Sequence, residues 1–468
     1  MIRTSTSLLL LAWLGLTSCS SGPDYQRPAA PTASVWKEGS GWRVATPAEL
    51  AERGPWWTAF HDDELNALVA QVAVSNQNLQ AAEAAWRAAS AVIEGSKSGY
   101  LPTVGADVGA QRNGTNNSSQ NKFTAEGSVS WTPDVWGRIR RTVESDEAAA
   151  QASGADLLAA TLSAQASLVT LYLRICALDE QRRLLDEITA ADERALNITQ
   201  RQFEAGLVSR VDVLLAETQL ASVRSQTVGL GVARAQSEHA IAVLIGKPPS
   251  ALTITTRSGL PLLPDVPLTV PSALLERRPD IAAAERRVAS ANALIGAAQA
   301  AYYPDLTLSG VAGFAGAAAG SLIQASNLVW SVGAQASATL FDGGARDAKV
   351  SQATANWQQT VANYRQTVLL AFQQTEDQLT AIHILAEQAQ VQQQAVTSSS
   401  EAERISFNQY QSGIIGYANV ILTQNNTRSN RLTALQIEAD RRAAAVALIT
   451  ALGGGWSAEQ LPTVPPAP

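Results

Sequence analysis

Two long stretches of the chain carry apolar residues at three- and four-residue steps, the spacing of one helical face. Residues 138–205 contain no proline and predict a helix of about 100 Å, and residues 347–411 repeat the plan. A shorter helical pattern follows each stretch, at 210–246 and 418–452. Polar residues border these faces on several sides. The pattern fits a soluble bundle or coiled-coil spacer and a wall around a water-filled lumen equally well.

Four shorter segments alternate apolar and polar residues, which is the period of a strand with two different faces. They are residues 103–111, 123–131, 305–313 and 329–340. Their length suits tilted strands that cross a bilayer, and it also suits an ordinary soluble sheet. Four strands cannot close a barrel, and open strand edges are not tolerated in lipid. Transmembrane strands of this number require several subunits to share one barrel.

The two halves of the chain repeat one plan. The offset between matched residues is 202 from Ile93 to Ile295 and 207 from Leu244 to Ala451. Several matches in one order indicate an internal duplication. The predicted divisions are a signal peptide at 1–18, an N-terminal segment at 19–61, a first repeat at 62–246, a linker at 247–271, a second repeat at 272–453 and a C-terminal tail at 454–468.

Matched glycines mark a turn between the helices of each repeat, since glycine readily adopts the positive φ of a helix C-terminus. Ser209 and Asp212 have the spacing of a capping box for the following helix. Helix capping alone is therefore a sufficient reason for an acidic residue at position 212. The residues of the two turns are Gly206, Leu207, Val208 and Ser209, and Gly413, Ile414, Ile415 and Gly416.

The N-terminus has the form of a targeting signal. Arg3 precedes a short apolar core at 8–16, which is too short to span a membrane as a mature helix. Leu16-Thr17-Ser18-Cys19 then resembles a bacterial lipobox, so that cleavage after residue 18 leaves a lipidated Cys19. Ser20, where an aspartate tends to retain lipoproteins at the inner membrane, points to the outer membrane. The alternative is a signal peptide with an incidental cysteine.

Composition narrows the function. The chain has 34 basic and 41 acidic residues, a net charge of −7, which argues against a nucleic-acid-binding protein. Its three histidines lack the spacing of metal ligands, and no phosphate loop, dinucleotide loop or nucleophile motif is complete. Cys176 lies in an apolar helical stretch and reads as a small core residue. We therefore expect a protein that is not an enzyme, with no metal and no cofactor beyond the covalent lipid on Cys19.

Several motifs spread over the chain resemble the TolC-like outer-membrane factor family, in its NodT-type lipoprotein branch serving resistance–nodulation–division efflux pumps. Besides the lipobox, they are Gly22-Pro23-Asp24-Tyr25-Gln26-Arg27-Pro28, Trp56-Trp57-x-x-Phe60, Asp134-x-Trp136-Gly137-Arg138-x-Arg140, Glu276-Arg277-Arg278-Pro279-Asp280-Ile281, Tyr303-Pro304, Phe341-Asp342-Gly343-Gly344 and Ala451-Leu452-Gly453-Gly454-Gly455-Trp456.

The resemblance implies a homotrimer that combines a membrane β-barrel with a long α-helical coiled-coil barrel. Four strands per subunit would give a 12-stranded barrel in the outer membrane, and the helices would form a periplasmic tunnel. The N-terminal, linker and C-terminal segments would form an equatorial belt. The channel would be passive and lipid-anchored, exporting drugs or other toxic small molecules. Its partners would be outer-membrane lipid, an inner-membrane pump and a periplasmic adaptor that contacts the two turns.

The resemblance also implies an aperture at the periplasmic end, near the second turn. Many pump-linked relatives carry an aspartate where this chain has Leu422, and a nearby arginine is replaced by Asn425. Three leucines would seal by contact and dewetting, which predicts weak cation selectivity and little block by divalent ions. The full set of aperture candidates is Tyr410, Asn419, Leu422, Asn425, Asp212 and Glu217.

Two other functions remain open at the level of sequence. The same channel could serve a type I protein-secretion system, although the lipobox and the Gly-Gly-Gly-Trp ending favour efflux. The chain could also be a lipid-anchored structural coiled-coil protein without a pore, against which the paired strand segments weigh.

Overall fold

A computed structural model describes residues 21–31, 35–37, 55–115, 118–264 and 278–454. The predicted signal peptide, Cys19 and most of the C-terminal tail lie outside these residues. The helices are α1 (Asp63–Ser75), α2 (Gln77–Lys97), α3 (Arg138–Glu204), α4 (Arg210–Leu244), α5 (Pro279–Ala300), α6 (Ala345–Gln411) and α7 (Tyr417–Ala451). The strands are β1 (Thr103–Thr115), β2 (Ser118–Trp131), β3 (Asp305–Gly316) and β4 (Leu328–Ser337).

Each half of the chain places two shorter helices along one long helix. In the first half α2 and α4 pack on α3, and in the second α5 and α7 pack on α6. The two long helices have 67 residues each, which is about 100 Å, and α4 and α7 have 35 residues each. The two halves therefore contain a long helix and a returning helix of equal length in the same order.

The joint between α2 and α4 depends on a close backbone approach. The Asn76 side chain caps α2 by accepting from the Leu79 N–H, and its Nδ2 donates to the Leu244 carbonyl at 2.8 Å. Gly246 follows with φ of 67°, and a Cβ placed there would lie 2.1 Å from the Ser75 carbonyl oxygen. Only glycine suits both the conformation and the space. This joint keeps two short helices in line along α3.

The four strands form one antiparallel sheet in the order β1-β2-β3-β4. The first hairpin is longer than the sequence predicted, because the polar residues before and after the turn continue the ladder as far as Thr115 opposite Ser118. Strand β4 is shorter than predicted at its end. Ser337 is the last paired residue, because its partner Asp305 directly follows Pro304, which cannot donate a hydrogen bond.

The largest apolar core lies where the middle of α3 meets α1, the ends of α4 and α7, and α6. Tyr172 on α3 and Tyr364 on α6 are among its fully buried side chains. Asp62 fixes the start of α1 against this core, since its carboxylate caps α1 and accepts from the Tyr172 hydroxyl at 2.9 Å. Cys176 is buried in this core.

Two irregular segments pack on the outside of this core. The N-terminal segment is held by Asp24, whose carboxylate lies 2.8 Å from a guanidinium nitrogen of Arg141. The described part of the predicted linker, residues 247–264, is held by Arg234, which donates to the Ile254 carbonyl at 2.9 Å. The first contact attaches the N-terminal segment near the start of α3, and the second attaches the linker beside the core.

Candidate functional site

The two helical turns are built alike and end in exposed apolar side chains. Gly206 and Gly413 have φ of 72° and 73°, and the next amide N–H in each turn donates back to the helix, from Leu207 to the Gln202 carbonyl and from Ile414 to Gln409. This is the Schellman type of helix end. The side chains of Leu207 and Ile414 are 75% and 71% exposed. An apolar side chain held in water at a rigid turn is available for contact with another protein.

The two turns differ in how the next helix begins. Ser209 and Asp212 form a reciprocal capping box, with the Ser209 N–H 3.0 Å from the Asp212 carboxylate, whereas Gly416 provides no side-chain cap for α7. The Glu217 carboxylate lies 3.9 Å from Arg210. The aperture candidates Asp212 and Glu217 therefore each have a local partner within the first turns of α4.

Tyr410 lies inside the protomer, with a side chain that is only 3% exposed. Its hydroxyl shares a hydrogen bond of 3.0 Å with Oγ1 of Thr199, and its ring lies 5.2 Å from that of Tyr417. Burial raises the pKa of its phenol. Tyr410 thus joins the end of α6 to α3 and to the start of α7, with its hydroxyl buried inside the protomer.

Helix α7 presents the other aperture candidates on its surface. Leu422 is 63% exposed, and Asn419 is exposed as well. Asn425 is half-buried, and its Oδ1 accepts from Nε2 of Gln219 on α4, at 3.2 Å. Leu422 is thus an apolar side chain without cover in the protomer, while Asn425 ties α7 to the first helical pair.

Asp192 is a buried acid in this region that no sequence motif pointed to. It lies on α3, is 2% exposed, and has one carboxylate oxygen without a hydrogen-bond partner. Burial raises its pKa to about 6, with a smaller raise from Glu403, while Arg428 and a hydrogen bond from Gln219 lower it. The signal in the sequence was its position seven residues after the core residue Leu185, on the same helical row.

The register of the sheet separates an apolar face from a polar one. On one face lie Val104, Val108, Ala125, Val129, Leu306, Leu308, Trp330 and Val332. On the other face lie Asp107, Thr124, Glu126, Ser128, Ser309, Ser331 and Gln335. The valines and the tryptophan of the apolar face are exposed in the protomer. This face therefore requires an apolar surrounding, whereas the opposite face suits water.

Aromatic residues gather where the strands meet the helices. Trp136 stacks on Tyr303 with ring centroids 4.8 Å apart, and Nε1 of Trp131 donates to the Tyr100 carbonyl at 2.9 Å. Ser21 approaches the same junction, since its N–H donates to the Trp136 carbonyl at 3.3 Å. Cys19, two residues earlier in the chain, lies outside the described residues. Aromatic side chains at one level are typical of a membrane–water interface.

The described residues contain no group of three or more His, Cys, Asp or Glu side chains that could hold a metal ion. Several buried ionisable residues form ion pairs, unlike Asp192. Arg234, for example, contacts Asp179 at 2.6 Å, which attaches α4 to α3.

Comparison with known proteins identifies the family. The model of the family described as "Outer membrane efflux protein" matches residues 68–247 and 270–454. The chain is 32% identical to the pyoverdine export outer membrane protein OpmQ of Pseudomonas aeruginosa, over 97% of both chains, and 26% identical to the cation efflux system protein CusC of Escherichia coli, over 95% and 97%.

Solved structures agree with the fold. The outer-membrane channel OprN superposes with a TM-score of 0.88 at 28% identity, covering 94% of this chain and all of that one. A CusC structure superposes with a TM-score of 0.84 at 25% identity, covering 93% and 99%. These likenesses confirm the expected combination of long helices with a few strands per chain, and the expected outer-membrane location and efflux function. The chain belongs to the outer membrane efflux protein family.

Proposed function

We propose that three copies of this chain form a passive efflux channel that carries small molecules out through the outer membrane. The observation that carries the proposal is the sheet. It has one exposed apolar face, and its outer strands β1 and β4 each pair on one side only within the described chain. A membrane does not tolerate such edges. Joining β4 of one copy to β1 of the next closes a barrel of twelve strands.

We propose that the channel itself is passive and that other proteins supply the energy for transport. The described residues contain no metal cluster and the comparisons point to transport. The relatives' names refer to pyoverdine, toluene, antibiotics and cations. A duct shared by such different cargoes does not select them by itself. We therefore infer an inner-membrane pump of the resistance–nodulation–division class that selects the cargo, and a periplasmic adaptor that links pump and channel.

The experiment that tests the channel is recording from purified protein in planar bilayers. We expect discrete conductance steps that are small or brief, because the periplasmic end is closed at rest. Substitutions that weaken the contacts at the periplasmic end should enlarge the conductance steps. If neither the wild type nor these variants ever conduct, the channel proposal is contradicted and a structural lipoprotein is favoured. A type I secretion duct would also conduct, but it would co-purify with a secretion adaptor.

The two turns are the proposed contact for the adaptor. Leu207 and Ile414 are exposed apolar side chains, each directly after a glycine with positive φ. Replacing both with glutamate should abolish cross-linking of the periplasmic adaptor in cells, because the acids keep water at the contact. Val228→Glu is the matched control, since this exposed residue of α4 lies away from the turn. Equal loss in the control would contradict the assignment.

We also propose that Cys19 carries the lipid anchor of the NodT-type branch. The supporting observation is the approach of Ser21 to the aromatic junction of strands and helices. Cys19→Ala should abolish labelling by palmitate while leaving the sheet inserted in the membrane. Labelling that persists would show that the cysteine is incidental.

A further inference from the structure

The buried acid Asp192 lies where the two helical pairs of the protomer meet near the turns. It is on α3, 14 residues before Gly206, and is 2% exposed. Groups from each neighbouring helix face it: Gln219 from α4, Glu403 from α6, and Arg428 and Tyr417 from α7.

Polar atoms in this cluster are left without partners. One carboxylate oxygen of Asp192, one guanidinium nitrogen of Arg428 and the hydroxyl of Tyr417 are buried and unbonded. Buried polar atoms are nearly always bonded, because each missing bond costs the full desolvation of the group. In the closely packed arrangement, these missing hydrogen bonds carry a free-energy cost. Water that enters the cluster would supply the bonds and remove this cost.

The cluster is connected to the proposed aperture through one side chain. Gln219 bonds Asp192, and its Nε2 also donates to Oδ1 of Asn425 at 3.2 Å. Asn425 lies on α7 three residues after Leu422, which is one turn of the helix. Asp192 thus acts on the helix that carries the aperture candidates and does not reach the lumen itself.

We propose that Asp192 is a positioning residue of the periplasmic gate, whose charge sets how firmly α7 packs against α3 and α4. Protonated Asp192 lets α7 pack closely, and ionised Asp192 favours the separation of α7 and the entry of water. The inference rests on the proposed channel. It adds a control by external pH, since the periplasm follows the acidity of the medium.

The direction of the pH effect follows from burial. Burial raises the pKa of Asp192 to about 6 in the packed arrangement, and hydration on opening returns the pKa towards the ordinary value of an aspartate. The packed state therefore binds the proton more tightly, so acid stabilises closure and rising pH favours opening. The added stabilisation of closure is lost as pH rises towards 6. The open-to-closed ratio should increase about tenfold between pH 5 and pH 7.

Single-channel recordings from pH 5 to pH 7.5 test the proposal. We expect wild-type open probability to rise with pH, and Asp192→Asn to remain mostly closed at every pH because the amide cannot ionise. Arg428→Gln should move the midpoint to higher pH, since it removes the cation that favours ionised Asp192. Glu193→Gln is the control, because this neighbouring acid is partly exposed and pairs with Arg224. Its pH profile should match the wild type.

A second readout needs no ion flow. Spin labels attached at Leu422→Cys should report longer distances between protomers at pH 7.5 than at pH 5, and Asp192→Asn should remove the difference. An unchanged distance and a wild-type pH profile in Asp192→Asn would overturn the role of Asp192. A protein whose label distances respond to pH but which never conducts would contradict the proposed channel and leave the role of Asp192 intact.

Discussion

At the scale of single residues, the proposed closure of the periplasmic end depends on a few hydrogen bonds that join α3 and α4 to α6 and α7. Tyr410 shares its hydroxyl hydrogen bond with Thr199, and Asn425 accepts from Gln219. Each contact joins one helical pair to the other. Because a net hydrogen bond contributes about 1 kcal/mol, each is strong enough to change the population of an open state without unfolding the helices.

Removing the tyrosine hydroxyl should open the channel more often. Tyr410→Phe keeps the ring against Tyr417 but loses the bond to Thr199, so open probability should rise about fivefold for about 1 kcal/mol. Thr199→Val should have a similar effect, and the double variant should add little, because both changes remove one bond. Additive effects in bilayer recordings would show that the two side chains act separately.

An acid at position 422 should convert an apolar seal into a charged one. Leu422→Asp would place three carboxylates at the aperture of a trimer, so cation selectivity and block by cobalt should both increase. The comparison is with Leu422→Asn, which is similar in size and uncharged. Conductance and cobalt block that stay unchanged in Leu422→Asp would mean that this residue does not line the aperture.

The sequence predicted the positions of these residues better than their surroundings. The matched glycines located both turns, but nothing in the pattern placed the Tyr410 hydroxyl inside the protomer against Thr199. Asp192 was missed because an acid in a polar-rich helix reads as solvated. Its burial depends on contacts from α4, α6 and α7, which lie 27 to more than 200 residues away in the chain.

At the scale of the elements, two helices that are far apart in sequence meet end to end. The joint between α2 and α4 is held by Asn76, whose side chain bonds both helices, and by the close approach of Gly246 to Ser75. The corresponding sequence signal was only a glycine after a helical pattern. The requirement for glycine comes from a carbonyl about 170 residues earlier in the chain, which no local pattern reveals.

Gly246→Ala should destabilise this joint. The new Cβ meets the Ser75 carbonyl oxygen in a left-handed conformation, which together should cost about 2–4 kcal/mol. Gly229→Ala is the control, since that glycine is inside α4 with open space around it and should gain about 0.5–1 kcal/mol. Thermal unfolding followed by circular dichroism in detergent measures both. Equal stability of the two variants would show that the joint yields without cost.

The strands show where alternation succeeds as a predictor and where it fails. It located all four strands of the sheet, because an apolar face alternating with a polar one is a local property of the chain. It did not fix their ends. Polar residues extend the first hairpin to Thr115 and Ser118, and β4 stops at Ser337 because β3 offers no partner beyond Asp305.

At the scale of the whole molecule, a charged substitution should have different effects on the two faces of the sheet. Val332 and Ser331 are neighbours on β4 but lie on the apolar and polar faces respectively. Val332→Arg should cost about 2–4 kcal/mol if it enters the hydrocarbon region, and it should lower the yield of assembled channel. Ser331→Arg should assemble normally and change ion selectivity. Equal tolerance of both, measured by the heat-resistant oligomer on gels, would contradict the membrane position of the sheet.

The central claim is that three copies share one barrel, and native mass spectrometry of the purified protein in mild detergent tests it most directly. The account predicts a single species with the mass of three protomers, which falls apart only when the sheet is disrupted. A folded monomer or dimer that keeps its strands in detergent and in lipid would leave the edges of β1 and β4 unpaired. That result would contradict the shared barrel and the channel built on it.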